Sequence, residues 1–129
     1  AARFEPACKI FGVLIMIGES TYQMAKDKIE ARKLGLLVAK GKYKSVEVYE
    51  LIGKKGDLDE AKSKLVQKFE AAWGIYAKGK FDEAKVGFEE CLKIVPDDGP
   101  SLAYIEQCTH FASNSPPEGW AGEWIQLAK

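Results

Sequence analysis

The spacing of apolar residues over the first 26 positions predicts a helix, a strand and a second helix. Residues 1–11 carry apolar side chains at helical intervals, with Pro6 as a point for a kink and Gly12 as the end of the helix. The uninterrupted apolar run at 13–17 predicts a buried strand. A short helix follows at 19–26. Its inward-facing candidates are Tyr22, Met24 and Ala25.

The positions up to residue 51 are predicted to form two extended segments joined by a turn. Residues 29–39 are extended in this prediction and end in several leucines, while residues 45–51 alternate apolar and polar side chains as a half-buried strand does. The polar turn at 40–44 contains a glycine. The two segments are therefore predicted to pair as an antiparallel hairpin.

A polar, glycine-rich linker at 53–57 separates this front region (residues 1–52) from a helical tail (residues 58–129). In the tail, apolar residues recur at three- and four-residue steps, which predicts helices. The predicted helices cover 58–76, 81–95 and 101–111, and a loop (113–119) and a short amphipathic segment (120–129) follow. The fold class is thus predicted to be α+β. The tail is expected to pack on the front region through Trp73, Trp120 or Trp124.

Residues 65–98 hold small, aromatic and helix-ending residues in the order of a paired-helix repeat. These are Ala72, the run 79–84, Phe88, Cys91 and Pro96. Small residues let two helices approach, aromatic side chains fill the space between them, and the proline ends the second helix. The segment resembles a single tetratricopeptide repeat. We interpret it as a three-helix packing module, with a peptide-binding groove or a dimer contact as alternatives, because grooves are built by several repeats in series.

Composition and charge narrow the class of protein. Basic and acidic residues number 19 each, so the chain lacks the basic excess of nucleic-acid binders. The hydrophobic share of 47% is that of a folded domain, and the longest apolar run, at 13–17, is too short to cross a bilayer. No secretory signal peptide opens the chain, so a cytoplasmic location is expected. The chain starts as if in mid-helix, which suggests a fragment of a longer protein, whose upstream part could include a membrane anchor.

The number and spacing of the cysteines indicate reduced thiols and not a framework of disulfide bonds. Cys8, Cys91 and Cys108 are far apart and odd in number, which argues against disulfides. Cys108 and His110 form a C-x-H pair, but His110 is the single histidine and a metal site needs about four ligands. We therefore predict no metal site and no cofactor in the chain itself.

Four short motifs in residues 1–52 follow one another in a characteristic order. They are Ala-Ala-Arg-Phe-Glu at 1–5 leading into Phe-Gly and an apolar strand, Glu-Ser-Thr-Tyr at 19–22, Val-Ala-Lys-Gly-Lys at 38–42 and Val-Tyr-Glu-Leu at 48–51. Together they resemble the C-terminal end of the catalytic domain of class III adenylate and guanylate cyclases. Asp-Gly-Pro-Ser at 98–101 and Pro-Pro-Glu-Gly-Trp at 116–120 resemble the extension behind that domain in many bacterial members. Pro6 and Ala39 depart from the family pattern.

The resemblance implies a chemistry and assigns roles to two residues. Such enzymes convert a nucleoside triphosphate into a 3′,5′-cyclic nucleotide and pyrophosphate as homodimers with Mg²⁺ or Mn²⁺. Arg3 falls on the family's transition-state arginine, whose planar guanidinium suits phosphate oxygens, and Lys40 falls on the lysine that contacts the triphosphate. The alternatives are an arginine and a lysine that are merely solvated at the surface.

The chain lacks other parts that the resemblance implies. The family's transition-state asparagine, its two metal-binding aspartates and its base-reading residues have no counterpart here, so the isolated chain is predicted to be inactive. The preference between ATP and GTP stays open, with adenylate cyclase favoured. The alternative function is a protein-interaction or dimerisation module that uses the helical repeat.

Overall fold

The computed structural model describes residues 5–38 and 45–124 of the chain. Within these ranges lie five helices and three strands, and the fold is α+β as predicted. The helices are α1 (Glu5–Phe11), α2 (Glu19–Ala25), α3 (Glu60–Ala77), α4 (Phe81–Ile94) and α5 (Gly99–Ser113). The strands are β1 (Met16–Gly18), β2 (Ile29–Val38) and β3 (Ser45–Lys54).

The chain turns sharply between α1 and β1, which shortens the predicted strand. Gly12 has a φ of 68°, a conformation that favours glycine, and the amide of Val13 donates to the carbonyl oxygen of Cys8 at 3.0 Å. After this turn Leu14 is 96% exposed, whereas Met16 is buried. The prediction of a buried strand over 13–17 is therefore wrong in its first half, because the backbone is still leaving the helix there.

The strands form one antiparallel sheet in the order β1-β3-β2. Strands β2 and β3 pair from Ile29 opposite Lys54 to Val38 opposite Ser45, which confirms the predicted hairpin. The pairing shifts between Lys33 and Gly35, so β2 has a bulge there.

Helix α2 covers one face of β3. The ring of Tyr22 stacks on that of Tyr49, with 3.9 Å between the ring centroids and 7° between the planes. Met24 is 87% exposed, so its prediction as an inward-facing residue is wrong. Two residues correspond to about 200° of rotation around a helix, which places Met24 on the side opposite Tyr22.

Helices α3 and α4 pack side by side after a short connection at 78–80. The carboxylate of Asp59 caps α3 by accepting a hydrogen bond from the amide of Lys62 at 2.7 Å. The helices approach closely where Gly87 faces Ala72: a Cβ atom on Gly87 would lie 2.8 Å from the Cβ of Ala72. Both helices were expected from the sequence, while the likeness to a tetratricopeptide repeat stays a prediction.

Helix α5 begins earlier than the predicted 101–111 and crosses the end of α1. Asp98 is its N-cap and accepts hydrogen bonds from the amide of Ser101 at 3.2 Å and from its hydroxyl at 2.6 Å. Pro100 lies in the first turn, where a proline costs no hydrogen bond. A Cβ atom on Gly99 would lie 2.1 Å from the carbonyl oxygen of Phe11, so only glycine permits this contact between α5 and α1.

The hydrophobic core joins the front region to the helical tail. Leu34 and Val48 of the sheet are fully buried in one cluster with Phe69 and Tyr104 of the helices. Trp73 is 9% exposed, and Nζ of Lys33 in β2 lies 4.8 Å from the centroid of its ring, which confirms the expectation that a tryptophan packs the tail onto the front region. Over residues 5–38 and 45–124, none of the helices combines the length and the apolar character needed to cross a bilayer.

Candidate functional site

The two residues that the sequence singles out for catalysis and substrate binding, Arg3 and Lys40, lie outside the described residues. The structure does describe the elements next to them. Helix α1 begins at Glu5, just after Arg3, and strand β2 ends at Val38, just before Lys40. The contacts that hold these two elements therefore bear on the candidate site.

Both elements contact the same residue of the helical tail, Trp124. The indole ring of Trp124 packs on the ring of Phe11, the last residue of α1, with 4.8 Å between the centroids. The backbone amide of Trp124 donates to the carbonyl oxygen of Leu36 in β2 at 2.9 Å. The end of α1 and the end of β2 thus meet at one point of the tail, although they are far apart in sequence.

A buried cluster of charges, formed by Arg32, Glu50 and Asp98, joins the hairpin to the start of α5 (the Arg32 cluster). The guanidinium of Arg32 donates two parallel hydrogen bonds to Asp98, from Nη1 to Oδ2 and from Nη2 to Oδ1, each 2.9 Å long. It also donates from Nε and Nη2 to Oε1 of Glu50 at 2.9 and 2.5 Å. The side chain of Arg32 is 3% exposed, and its guanidinium lies 4.8 Å from the ring centroid of Phe69.

The pKa values of Arg32 and Asp98 are both shifted in the direction that favours the charged pair, despite its burial. Burial alone would raise the pKa of Asp98, but its hydrogen bonds with Arg32, the charge of Arg32 and the hydrogen bonds from Ser101 outweigh burial and hold this pKa below 3.8. Burial alone would lower the pKa of Arg32, but Asp98 and Glu50 outweigh it and raise this pKa. Both groups are therefore ionised at neutral pH.

The Arg32 cluster stabilises the fold, and its guanidinium is not available to bind a phosphate group. Its guanidinium is enclosed, and carboxylates of the chain occupy its forked donor edges. An anionic ligand would have to displace a buried carboxylate, which leaves an uncompensated charge at a cost of several kcal/mol. Arg32 therefore positions the elements around it.

A second polar contact fixes β2 at its bulge. The hydroxyl of Tyr104 in α5 donates to the carbonyl oxygen of Leu34 at 2.8 Å and accepts from Nε1 of Trp73 at 3.2 Å. A Cβ atom on Gly35 would lie 2.2 Å from that hydroxyl oxygen, and Gly35 has a φ of 143°. Only glycine therefore lets α5 reach the strand here.

The chain is similar to a known adenylate cyclase. It is 30% identical over 112 residues to a protein of Dictyostelium discoideum described as "Adenylate cyclase, terminal-differentiation specific". The similarity covers 84% of this chain, which spans only 5% of the length of that protein. No protein-family profile matches the chain, and no solved structure matches it.

The similarity includes at least the first two helices of the helical tail. At most about a sixth of the chain lies outside it, so it includes the β2–β3 hairpin together with helices α3 and α4, whichever end is unmatched. The relationship to an adenylate cyclase thus rests on the hairpin and the helices together, and not on the four motifs of the front region alone.

The described residues do not fit a metal site. Across residues 5–38 and 45–124, no group of three or more His, Cys, Asp and Glu side chains is placed to hold a metal ion. Cys108 is buried between the helices, where burial raises the pKa of its thiol to about 12. His110 is exposed and contacts the ring of Phe111.

Reasoning from the sequence missed the Arg32 cluster. One signal was present for each partner of the main ion pair. Asp98 precedes Gly-Pro-Ser, which is typical of a helix N-cap followed by an early proline. Arg32 lies two and four positions before Leu34 and Leu36, on the same face of an extended segment as these apolar residues. Neither signal indicates that the two residues meet.

Proposed function

We propose that this chain is part of a class III nucleotidyl cyclase, with adenylate cyclase as the favoured activity. The observation that carries the proposal is the similarity to the Dictyostelium adenylate cyclase, which extends over the hairpin and at least helices α3 and α4. The order of the elements supports it, because α1, β1, α2 and the hairpin follow one another as the four motifs of the front region require. The reaction would convert a nucleoside triphosphate into a 3′,5′-cyclic nucleotide and pyrophosphate.

The proposed roles of Arg3 and Lys40 follow from where charge develops in this reaction. The ribose 3′-hydroxyl attacks the α-phosphorus, the bond to the bridging oxygen breaks, and negative charge grows on the pyrophosphate that leaves. A guanidinium aimed at these oxygens stabilises the transition state more than the bound substrate. Arg3 would take this role, and Lys40 would hold the triphosphate as a point charge.

The rest of the proposed enzyme lies beyond these residues. Among the described residues, no group of three or more His, Cys, Asp and Glu side chains is placed to hold a metal ion, so the Mg²⁺ or Mn²⁺ of the proposed enzyme would be held by other residues of the longer protein. We propose that the longer protein acts as a homodimer on ATP or GTP, and that this chain alone is inactive.

The interaction-module alternative has less support from the structure. The buried apolar residues of α3, α4 and α5 pack against one another and against the sheet. Phe69, Phe88 and Tyr104 are each fully buried within the chain. The helices therefore have a function inside this fold that needs no partner.

The proposal is tested by cyclase assays of the full-length gene product with ATP and with GTP. We expect Arg3→Ala to lower turnover by about a hundredfold or more, the usual cost of removing a transition-state charge donor. We expect Lys40→Ala to lower kcat/KM mainly by raising KM for the triphosphate, because this lysine would hold the bound substrate. Lys9→Ala on α1 and Lys54→Ala at the other end of the hairpin are matched controls, because both lysines are exposed. Full activity in the Arg3 and Lys40 variants would refute the assigned roles.

A further inference from the structure

We propose that residues 115–124 form a strap that shields the edge of strand β2 from a second copy of the chain and opens as a local unit while the helices stay folded. The strap follows α5, runs back over the helices and reaches the sheet at Leu36. The inference stands on contacts between described residues and does not depend on the proposed cyclase function.

Strand β2 lies at an edge of the sheet, since the strands are in the order β1-β3-β2. The backbone groups of an edge strand can pair with another chain unless something covers them. Here the backbone amide of Trp124 donates to the carbonyl oxygen of Leu36 at 2.9 Å, and Glu123 forms a single parallel bridge with the same residue. Earlier in the strand, the amide of Lys33 donates to the carboxylate of Glu70 at 2.9 Å. The strap thus covers a part of the edge with which a second copy of the chain could otherwise pair.

Two indole rings anchor the strap. The ring of Trp120 packs edge-on against that of Tyr76 in α3, with 5.1 Å between the centroids. The ring of Trp124 contacts Phe11 and Tyr104, at centroid distances of 4.8 and 5.1 Å. Tryptophan side chains bury a large apolar surface, so these contacts keep the strap closed.

Between and beside the anchors the strap is held loosely. The amide of Trp120 donates to the carbonyl oxygen of Pro117 and its Nε1 donates to that of Glu123, so these bonds lie within the strap and survive its opening. A cleft of about 380 Å³ lies between the strap and Val38 at the end of β2. Nε1 of Trp124 is buried without a hydrogen-bond partner among the described residues, which makes the closed position less favourable. These features indicate that the strap opens more easily than the helices unfold.

Hydrogen exchange of the 129-residue chain tests the opening without any variant. The amide of Trp124 reports on the strap, and the amide of Cys108, which lies within α5, reports on the helices. We expect the amide of Trp124 to be protected at least about tenfold less than that of Cys108. Low concentrations of urea should change the exchange of Trp124 little and that of Cys108 steeply, because opening the strap exposes less surface than unfolding does.

Trp124→Ala tests whether the strap shields the edge. The substitution removes one anchor and leaves Trp120 in place. We expect the association constant between copies of the chain, measured by analytical ultracentrifugation, to rise at least about threefold. Glu118→Ala is the matched control, because Glu118 is an exposed residue of the strap, and it should leave the association constant unchanged.

Two results would overturn the inference. One is equal protection of Trp124 and Cys108 with the same dependence on urea, since the strap and the helices would then open together. The other is a folded Trp124→Ala chain that associates no more than Glu118→Ala. If Trp124→Ala does not fold, Trp120→Ala takes its place with the same expected rise, and unchanged association of that variant would equally overturn the shielding role.

Discussion

Breaking the buried ion pair between Arg32 and Asp98 should destabilise the chain strongly at neutral pH, and Asp98→Asn is the perturbation that shows it. The side chains are 3% and 7% exposed, so the pair lies in a medium that screens poorly. Removing one partner of a buried pair costs about 3–5 kcal/mol. Arg32 keeps Glu50 and the helix keeps a capping oxygen, so we expect about 2–3 kcal/mol for Asp98→Asn.

The destabilisation by Asp98→Asn should depend on pH in a direction that follows from the pKa of Asp98. The pKa of Asp98 is lower in the folded chain than its ordinary value of 3.8, so its contribution is fully present above that value. The contribution is lost as the pH falls through the lower pKa of the folded state. The difference in free energy of unfolding between wild type and Asp98→Asn should therefore be constant from pH 7 to about 5 and should shrink below about pH 4.

The assay is urea unfolding followed by tryptophan fluorescence at several pH values. Trp73 is buried in the core and reports on unfolding. In a melting experiment the expected loss corresponds to roughly 6–15 °C for a domain of this size. The reasoning would be refuted by a difference below about 0.5 kcal/mol at pH 7, the scale of surface substitutions, or by a difference that stays the same at pH 3.

Two further predictions concern the core. Gly35→Ala should destabilise the chain by about 2 kcal/mol or more, because its Cβ would lie 2.2 Å from the hydroxyl oxygen of Tyr104 at a φ of 143°. The control Gly74→Ala, where a Cβ meets no atom within 4 Å, should stabilise helix α3 by up to about 1 kcal/mol, and equal effects in urea unfolding would contradict this account. Burial raises the pKa of the Cys108 thiol to about 12, so Cys108 should resist a thiol reagent at pH 8 until the chain unfolds. The half-buried Cys8 should react first. Rapid labelling of Cys108 in the native chain would contradict its burial.

The regular elements could be predicted because their patterns are local. The alternation at 45–51 led to β3, and the apolar residues at three- and four-residue steps led to α3 and α4. The strand predicted at 13–17 is wrong in its first half, because an apolar run does not show where the strand begins or whether other elements cover it. In the structure Leu14 follows the turn at Gly12 and is almost fully exposed.

The Arg32 cluster could not be predicted because it is a product of topology. Arg32 and Asp98 are 66 positions apart, and their contact depends on the bulge at Gly35, the close approach at Gly99 and the start of α5. The roles of Arg3 and Lys40, in contrast, came from motifs alone. They stay predictions, since both residues lie outside the described part of the chain.

The most direct test of the central proposal is to incubate the full-length gene product with ATP and with GTP, each with Mg²⁺ or Mn²⁺, and to identify the products by mass spectrometry. The account predicts a 3′,5′-cyclic nucleotide and an equal amount of pyrophosphate, with ATP as the favoured substrate. A correctly folded protein that forms no cyclic nucleotide from either substrate would contradict it.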